Sequence, residues 1–144
     1  VSTIVYELEA IMRLSMLSMV GIYFIFSNTV MEVLRGDMNG DKIMVQINRQ
    51  ILNPWFYGLF IFSTLSSLYW IFASSGVQHY GGILFFVGTV LVTALKNVPL
   101  NNKLKSELKV NGATSFWPKY LRKWIFWNHV RTVSAFISGF FILS

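Results

Sequence analysis

The 144-residue chain contains no cysteine, so disulfides, thiolate metal ligands and a cysteine nucleophile are excluded. Charge is scarce too: 12% of residues are charged and 54% are hydrophobic, a balance too apolar for a soluble domain with one core. The two histidines, His79 and His129, fall at opposite ends of apolar runs, too far apart to share one metal ion or haem. No phosphate-cradling glycine loop, dinucleotide fingerprint or serine nucleophile elbow occurs. An enzyme built on this chain is therefore expected to work with no metal and no bound redox cofactor.

What the chain does have is long apolar runs. Four are near the ~20 residues that cross a ~30 Å hydrocarbon layer: roughly 10–34, 54–75, 77–95 and 120–144. They predict an all-α fold, an integral membrane four-helix bundle occupying residues 1–144 as one transmembrane domain. Glu7 and Glu9 stand where a secretory signal would be basic, so the first run reads as a span. Every lysine and arginine except Arg13 falls after the first run, after the third, or at the start of the fourth. The positive-inside rule then puts both long loops in the cytoplasm and both termini outside, in a plasma or inner membrane. The net charge of +6 is met by anionic lipid headgroups and needs no nucleic acid.

Local signals refine this outline. Gly36, Asp37 and Gly40 mark a turn, and Ile43, Ile47 and Ile51 at four-residue spacing predict a short amphipathic helix on the cytoplasmic surface. Asn53 before Pro54 reads as a helix cap with proline at the first helical position. Ser74, Ser75 and Gly76 predict a tight outer turn that makes the second and third runs antiparallel neighbours. Pro99 is expected to break the third helix after Asn97. In the basic segment 101–118, Leu104 and Leu108 suit either a short helix on the headgroup surface or a solvated connector.

Polar residues that a lipid-facing helix would not keep gather at one end of three runs: Asn28 and Glu32, Asn97 with Asn101, and Asn128 with Arg131. Ionisable groups in spans are expensive and usually face a bundle interior. Trp124, Trp127, Asn128 and Arg131 fall at i, i+3, i+4 and i+7, one stripe of a helix. A Glu32 to Arg131 ion pair is the simplest way to keep both charges inside. Bland readings stand beside these: the tryptophans can form an interfacial belt, for which Trp55, Trp70 and Trp117 are the better candidates. Arg131 can snorkel to headgroups, and asparagines can be interhelical glue.

The segments F-S-N-T-V-M (Phe26 to Met31), I-N-R-x-I-L-N-P (Ile47 to Pro54), N-V-P-L-N (Asn97 to Asn101) and W-x-x-W-N-H-V-R-T (Trp124 to Thr132) together resemble the anthrone oxygenase-like family of small four-span membrane proteins. The resemblance implies oxidation of an apolar, ring-fused ketone by dioxygen with no metal or flavin, the substrate's own enolate reducing oxygen. In that reading Trp124 and Trp127 wall the pocket, and Asn28, Asn97 and Asn128 donate to the developing oxyanion. Asn53 and Asn101 join the binding set, Arg131 stabilises enolate or peroxide, and Glu32 is preferred to His129 as base. The expected partners are membrane lipids and an apolar small molecule.

A reading from another class uses the same polar cluster as glue in a non-catalytic membrane protein, either a lipid or quinone binder or a subunit of a homo-oligomer or larger membrane complex. A channel fits less well, because the outer half offers no polar path.

Overall fold

The computed structural model describes residues 2–112 and 115–144, and all regular structure among them is helical. The described residues form five helices: α1, Thr3–Gly36; α2, Gly40–Ile51; α3, Pro54–Ala73; α4, Val77–Asn111; and α5, Trp117–Leu143. Of these α1, α3 and α4, at 34, 20 and 35 residues, are long and apolar enough to cross a membrane. α5 has 27 residues but carries Asn128, His129 and Arg131 at its middle, and it does not join those three.

The four long helices pack in a ring, α1 against α3 and α5, and α4 against α3 and α5. α3 is the short member. Where it begins, α1, α4 and α5 continue past it, and α2 packs on the ends of α1 and α4 across the opening. The start of α3 is set by Asn53, whose Oδ1 accepts from the backbone N–H of Trp55 and of Phe56, each at 3.1 Å, with Pro54 at the first helical position.

Two apolar cores result. One, toward the chain termini, is built on Met16, Met19, Tyr23, Trp70, Phe85 and Ile142. The other, toward the basic end, is built on Met31, Met44, Leu104, Tyr120, Leu121 and Trp124. Near the terminal end, small residues let the backbones approach. A methyl group at Gly88 would overlap Ser134, and one at Gly82 would press on the Ser67 carbonyl. Ser138 Oγ donates to the Gly81 carbonyl at 2.7 Å across the α4–α5 seam.

The structure departs from the sequence reading along α4. Asn97 and Val98 are both helical, at φ −71° ψ −44° and φ −62° ψ −47°, so Pro99 does not break the helix. The chain accommodates the proline by widening the turn before it: Thr93–Asn97 is π-helical, and the Val98 N–H reaches back five residues to the Thr93 carbonyl. α4 therefore runs on to Asn111, where Gly112 at φ +69° ends it. Leu104, expected on a headgroup surface or in a connector, is fully buried in the second core. Ala113 and Thr114, in that same segment, lie outside the described residues.

The tryptophans divide. Trp55 is exposed at the head of α3, as a belt residue should be, whereas Trp70 is buried in the first core under Arg13, and Trp117 stacks on Tyr120.

Candidate functional site

Between the two cores lies a cavity of about 460 Å³, within the range of small-molecule sites. It forms because α3 stops short and α2 covers the gap without filling it. Tyr23 and Phe26 of α1, Phe56 of α3, Thr93 and Asn97 of α4, and Trp124, Asn128 and Arg131 of α5 surround its inner part. α2 contributes Asn48, Arg49 and Leu52, and the far end of α4 contributes Asn101, Asn102 and Lys105.

Arg131 dominates the inner wall. It is 7% exposed, and among the described residues no carboxylate pairs with it. Its guanidinium lies over two aromatic faces, 4.6 Å from the centre of the Tyr23 ring and 5.3 Å from that of Trp124. One terminal nitrogen donates to Asn128 Oδ1 at 2.6 Å and the other to Thr93 Oγ1 at 3.1 Å. A guanidinium has five N–H donors in a fixed fork, so neutral oxygens take two and Nε–H has no partner.

Asn128 holds that arrangement in place. Its Nδ2 donates to the Tyr23 carbonyl at 3.0 Å and to Ser27 Oγ at 2.7 Å, leaving Oδ1 to face the arginine. One asparagine thus ties α1 to α5 and orients the cation. Other polar atoms in the wall are buried without partners: Trp124 Nε1, Asn97 Oδ1 and Asn48 Nδ2. The Tyr23 hydroxyl sits near Thr89 and Thr93 but short of hydrogen-bond geometry. Buried polar groups are nearly always satisfied; the unmatched ones here are sealed within the wall and concentrate around this cavity.

The π-helical turns explain how α4 feeds this site. Thr89, Thr93, Asn97, Asn101 and Lys105 recur every four residues. In a pure α-helix each such step overshoots a full turn by about 40°, and the stripe would wind off the cavity. The wider turns at Phe86–Leu91 and Thr93–Asn97 undershoot and cancel that drift. Thr93, Asn97, Asn101 and Lys105 consequently all reach one cavity.

Of the residues singled out from sequence, the fold brings Asn97, Asn101, Trp124, Asn128 and Arg131 together. It does not bring in Asn28, Glu32, Asn53 or Trp127. On α1 the inward stripe runs through Tyr23, Ser27, Met31 and Leu34. Asn28 and Glu32 each follow an inward residue by one, about 100° round the helix, and both are exposed. Glu32 pairs with Arg35 at 3.3 Å, so the expected Glu32 to Arg131 ion pair does not exist. Asn53 spends its side chain on the α3 cap, and Trp127 lies beside the site under Lys96, whose Nζ is 4.9 Å from its ring centre. His129 is exposed in a surface groove with Arg35 and Arg122.

Sequence reasoning missed Tyr23, Thr93, Asn48, Arg49 and Lys105. The four-residue recurrence on α4 was a usable signal for two of them. Asn48 and Arg49 stood inside the I-N-R-x-I-L-N-P segment that carries the family resemblance, whereas Tyr23 had no signal, since a tyrosine in an apolar run is ordinary.

A family model described as anthrone oxygenase matches residues 44–141, a stretch that includes most of α2, all of α3 and α4 and most of α5. No curated protein and no solved structure matches the chain.

Proposed function

We propose that this chain, which belongs to the anthrone oxygenase family, spans the membrane four times and uses the cavity between its two cores to oxidise a flat, ring-fused ketone of the anthrone type with dioxygen. The observation that carries this reading is Arg131, a buried cation with no carboxylate partner, turned into a largely apolar cavity. Burying an unpaired charge costs several kcal/mol. A site that retains one is suited to a negative charge that arrives with the ligand or develops during reaction.

The membrane placement is supported by how little of the spans the fold covers: 22% of the apolar window is buried in each of α1, α3 and α4. Leu14, Phe24, Ile61, Leu65, Leu95 and Phe136 are among the large side chains left exposed, an apolar girdle far beyond what a soluble monomer shows. With the basic loops in the cytoplasm and both termini outside, the cavity sits toward the inner leaflet, where an apolar aromatic ketone partitions.

In the chemistry we infer, the anthrone carbonyl faces the cationic wall formed by Arg131. Loss of a methylene proton places enolate charge on that oxygen, where the buried cation stabilises it. The electron-rich methylene carbon then reduces dioxygen and forms a C–O bond. The resulting hydroperoxide loses water to give the quinone, so CH₂ plus O₂ becomes C=O plus H₂O and no external reductant is consumed. Among the described residues the wall holds no carboxylate or imidazole, and Glu32, expected as the base, is outside. The methylene is therefore acidified by Arg131 rather than by a strong protein base, and its proton leaves to water at the mouth.

The test is oxygen uptake by membranes containing the protein when an anthrone is added. One mole of oxygen consumed per mole of quinone formed is expected, with the rate falling about 100- to 1000-fold in Arg131→Gln, as when an oxyanion donor is removed. No uptake above empty membranes overturns the catalytic reading.

A further inference from the structure

The outer part of the cavity carries a second charge feature that the oxidation step does not use. Arg49 of α2 and Lys105 of α4 line the same opening from facing helices, and neither forms an ion pair among the described residues. The polar neighbours there are neutral amides: Gln46, Asn48, Asn101 and Asn102. Two like charges converging on one mouth repel, and the nearest acidic side chain on α4, Glu107, instead accepts from Asn111 at 3.3 Å.

Helix geometry gives the separation of this pair from the inner wall. Asn97, at the end of the π-helical turn, and Lys105 are eight residues apart on α4, about 12 Å along its axis. That span suits a three-ring skeleton lying along the cavity, with one outer ring toward Asn97 and the other at the mouth. The space between is apolar, walled by Phe26, Leu52, Phe56 and Val98.

Resting on the reading of the cavity as a ring-fused ketone site, we infer that Arg49 and Lys105 select a substrate bearing an anionic substituent, a carboxylate or phenolate, on the outer ring that lies at the mouth. Arg49 offers a planar fork and Lys105 a mobile point charge, and the amides around them supply hydrogen bonds. The pair also draws such a substrate from the inner leaflet and orients it with the charged ring outward. Both side chains are exposed, so they can be neutralised without disturbing either core.

The experiment measures binding, not turnover, with the full-length protein in neutral phosphatidylcholine nanodiscs. Affinities are compared for anthraquinone and anthraquinone-2-carboxylate, using quenching of tryptophan fluorescence. The carboxylate is expected to bind about tenfold more tightly at low salt, with the advantage shrinking as ionic strength rises. The double variant Arg49→Gln, Lys105→Gln should erase that advantage and leave the affinity for the neutral quinone unchanged. Equal binding of both quinones to the native protein, or a preference that survives the double variant, overturns the inference while leaving the ketone site standing. Competition by added phosphatidylglycerol against the carboxylate but not the neutral quinone would assign the mouth to a lipid headgroup and overturn it as well. Failure of either quinone to bind overturns the cavity reading itself.

Discussion

Two arginines, one toward each end of the bundle, show how differently the same side chain can be treated. Arg13, near the termini, pairs with Glu9 at 3.5 Å, donates to the Ile142 carbonyl at 3.1 Å and lies 4.7 Å over the Trp70 ring. Tyr69 completes that group by donating to Glu9 at 2.9 Å. Arg131 has aromatic faces and neutral oxygens but no counter-charge, and its Nε–H is unused. The surroundings differ in the same sense. At the terminal end small residues close the helix seams, and Ser63, Ser66 and Ser67 satisfy themselves on carbonyls of their own helix. At the basic end an open cavity is ringed by unmatched polar atoms, with Trp70 Nε1 the one such atom among the described residues outside it. Closure marks structure. Unspent hydrogen-bonding capacity around a void is what the proposed function builds on.

The sharpest way to break this comparison is to make the same substitution at both arginines. Arg131→Met should abolish anthrone-dependent oxygen uptake, by about 100-fold or more. Its melting temperature should hold within a few degrees, because the desolvation cost of a buried charge with no counter-ion offsets the two hydrogen bonds to neutral oxygens that are given up. Arg13→Met should do the reverse: uptake within about threefold of the native rate, and a stability loss near ~1 kcal/mol, typical of a partly exposed pair. If the two variants lost activity and stability in parallel, the two ends would not differ in kind.

A gentler change sharpens the charge argument. Asn128→Asp keeps an oxygen facing Arg131 but makes it anionic, which neutralises the cation before any substrate arrives. Uptake should fall by about 10- to 100-fold. The protein should remain folded, since the aspartate still accepts from Arg131 although it can no longer donate to Tyr23 and Ser27. Asn128→Ala, which removes every one of those bonds, should instead lower stability by ~1–3 kcal/mol. Should Asn128→Asp retain full activity, a free positive charge is not what the site supplies.

How much of this was legible in the sequence depended on whether a signal was local. The Asn53 cap, the Ser-Ser-Gly turn, the α2 helix and the Trp124–Asn128–Arg131 stripe are readable because each is decided within a turn or two of helix. Pro99 misled because its usual effect assumes an α-helical turn before it. A π-helical turn removes the clash, and this one lies against α5, a neighbour that no local pattern reveals. Glu32 misled for a related reason: its spacing from Asn28 was right, but which face of α1 points inward is set by contacts with Met44, Leu104 and Tyr120, from three other helices.

Glu32 also offers the smallest expected effect and a direct check on the chemistry. It is exposed and bound to Arg35 at 3.3 Å, with both side chains more than half accessible, so Glu32→Gln should change stability by less than ~1 kcal/mol. Oxygen uptake should stay within about twofold, because Glu32 does not line the cavity and general-base catalysis requires hydrogen-bond reach of the proton or one intervening water. A base acting from elsewhere predicts a loss of about 100-fold or more on its removal, the usual worth of general acid–base catalysis. A large loss in Glu32→Gln with unchanged melting temperature would therefore require α1 to rotate by about one residue in the working state, carrying Asn28 and Glu32 inward and Ser27 away from Asn128. Disrupting the Asn128 to Ser27 bond through Ser27→Ala would then raise activity, whereas in the arrangement described here it lowers it slightly by loosening the asparagine that orients Arg131.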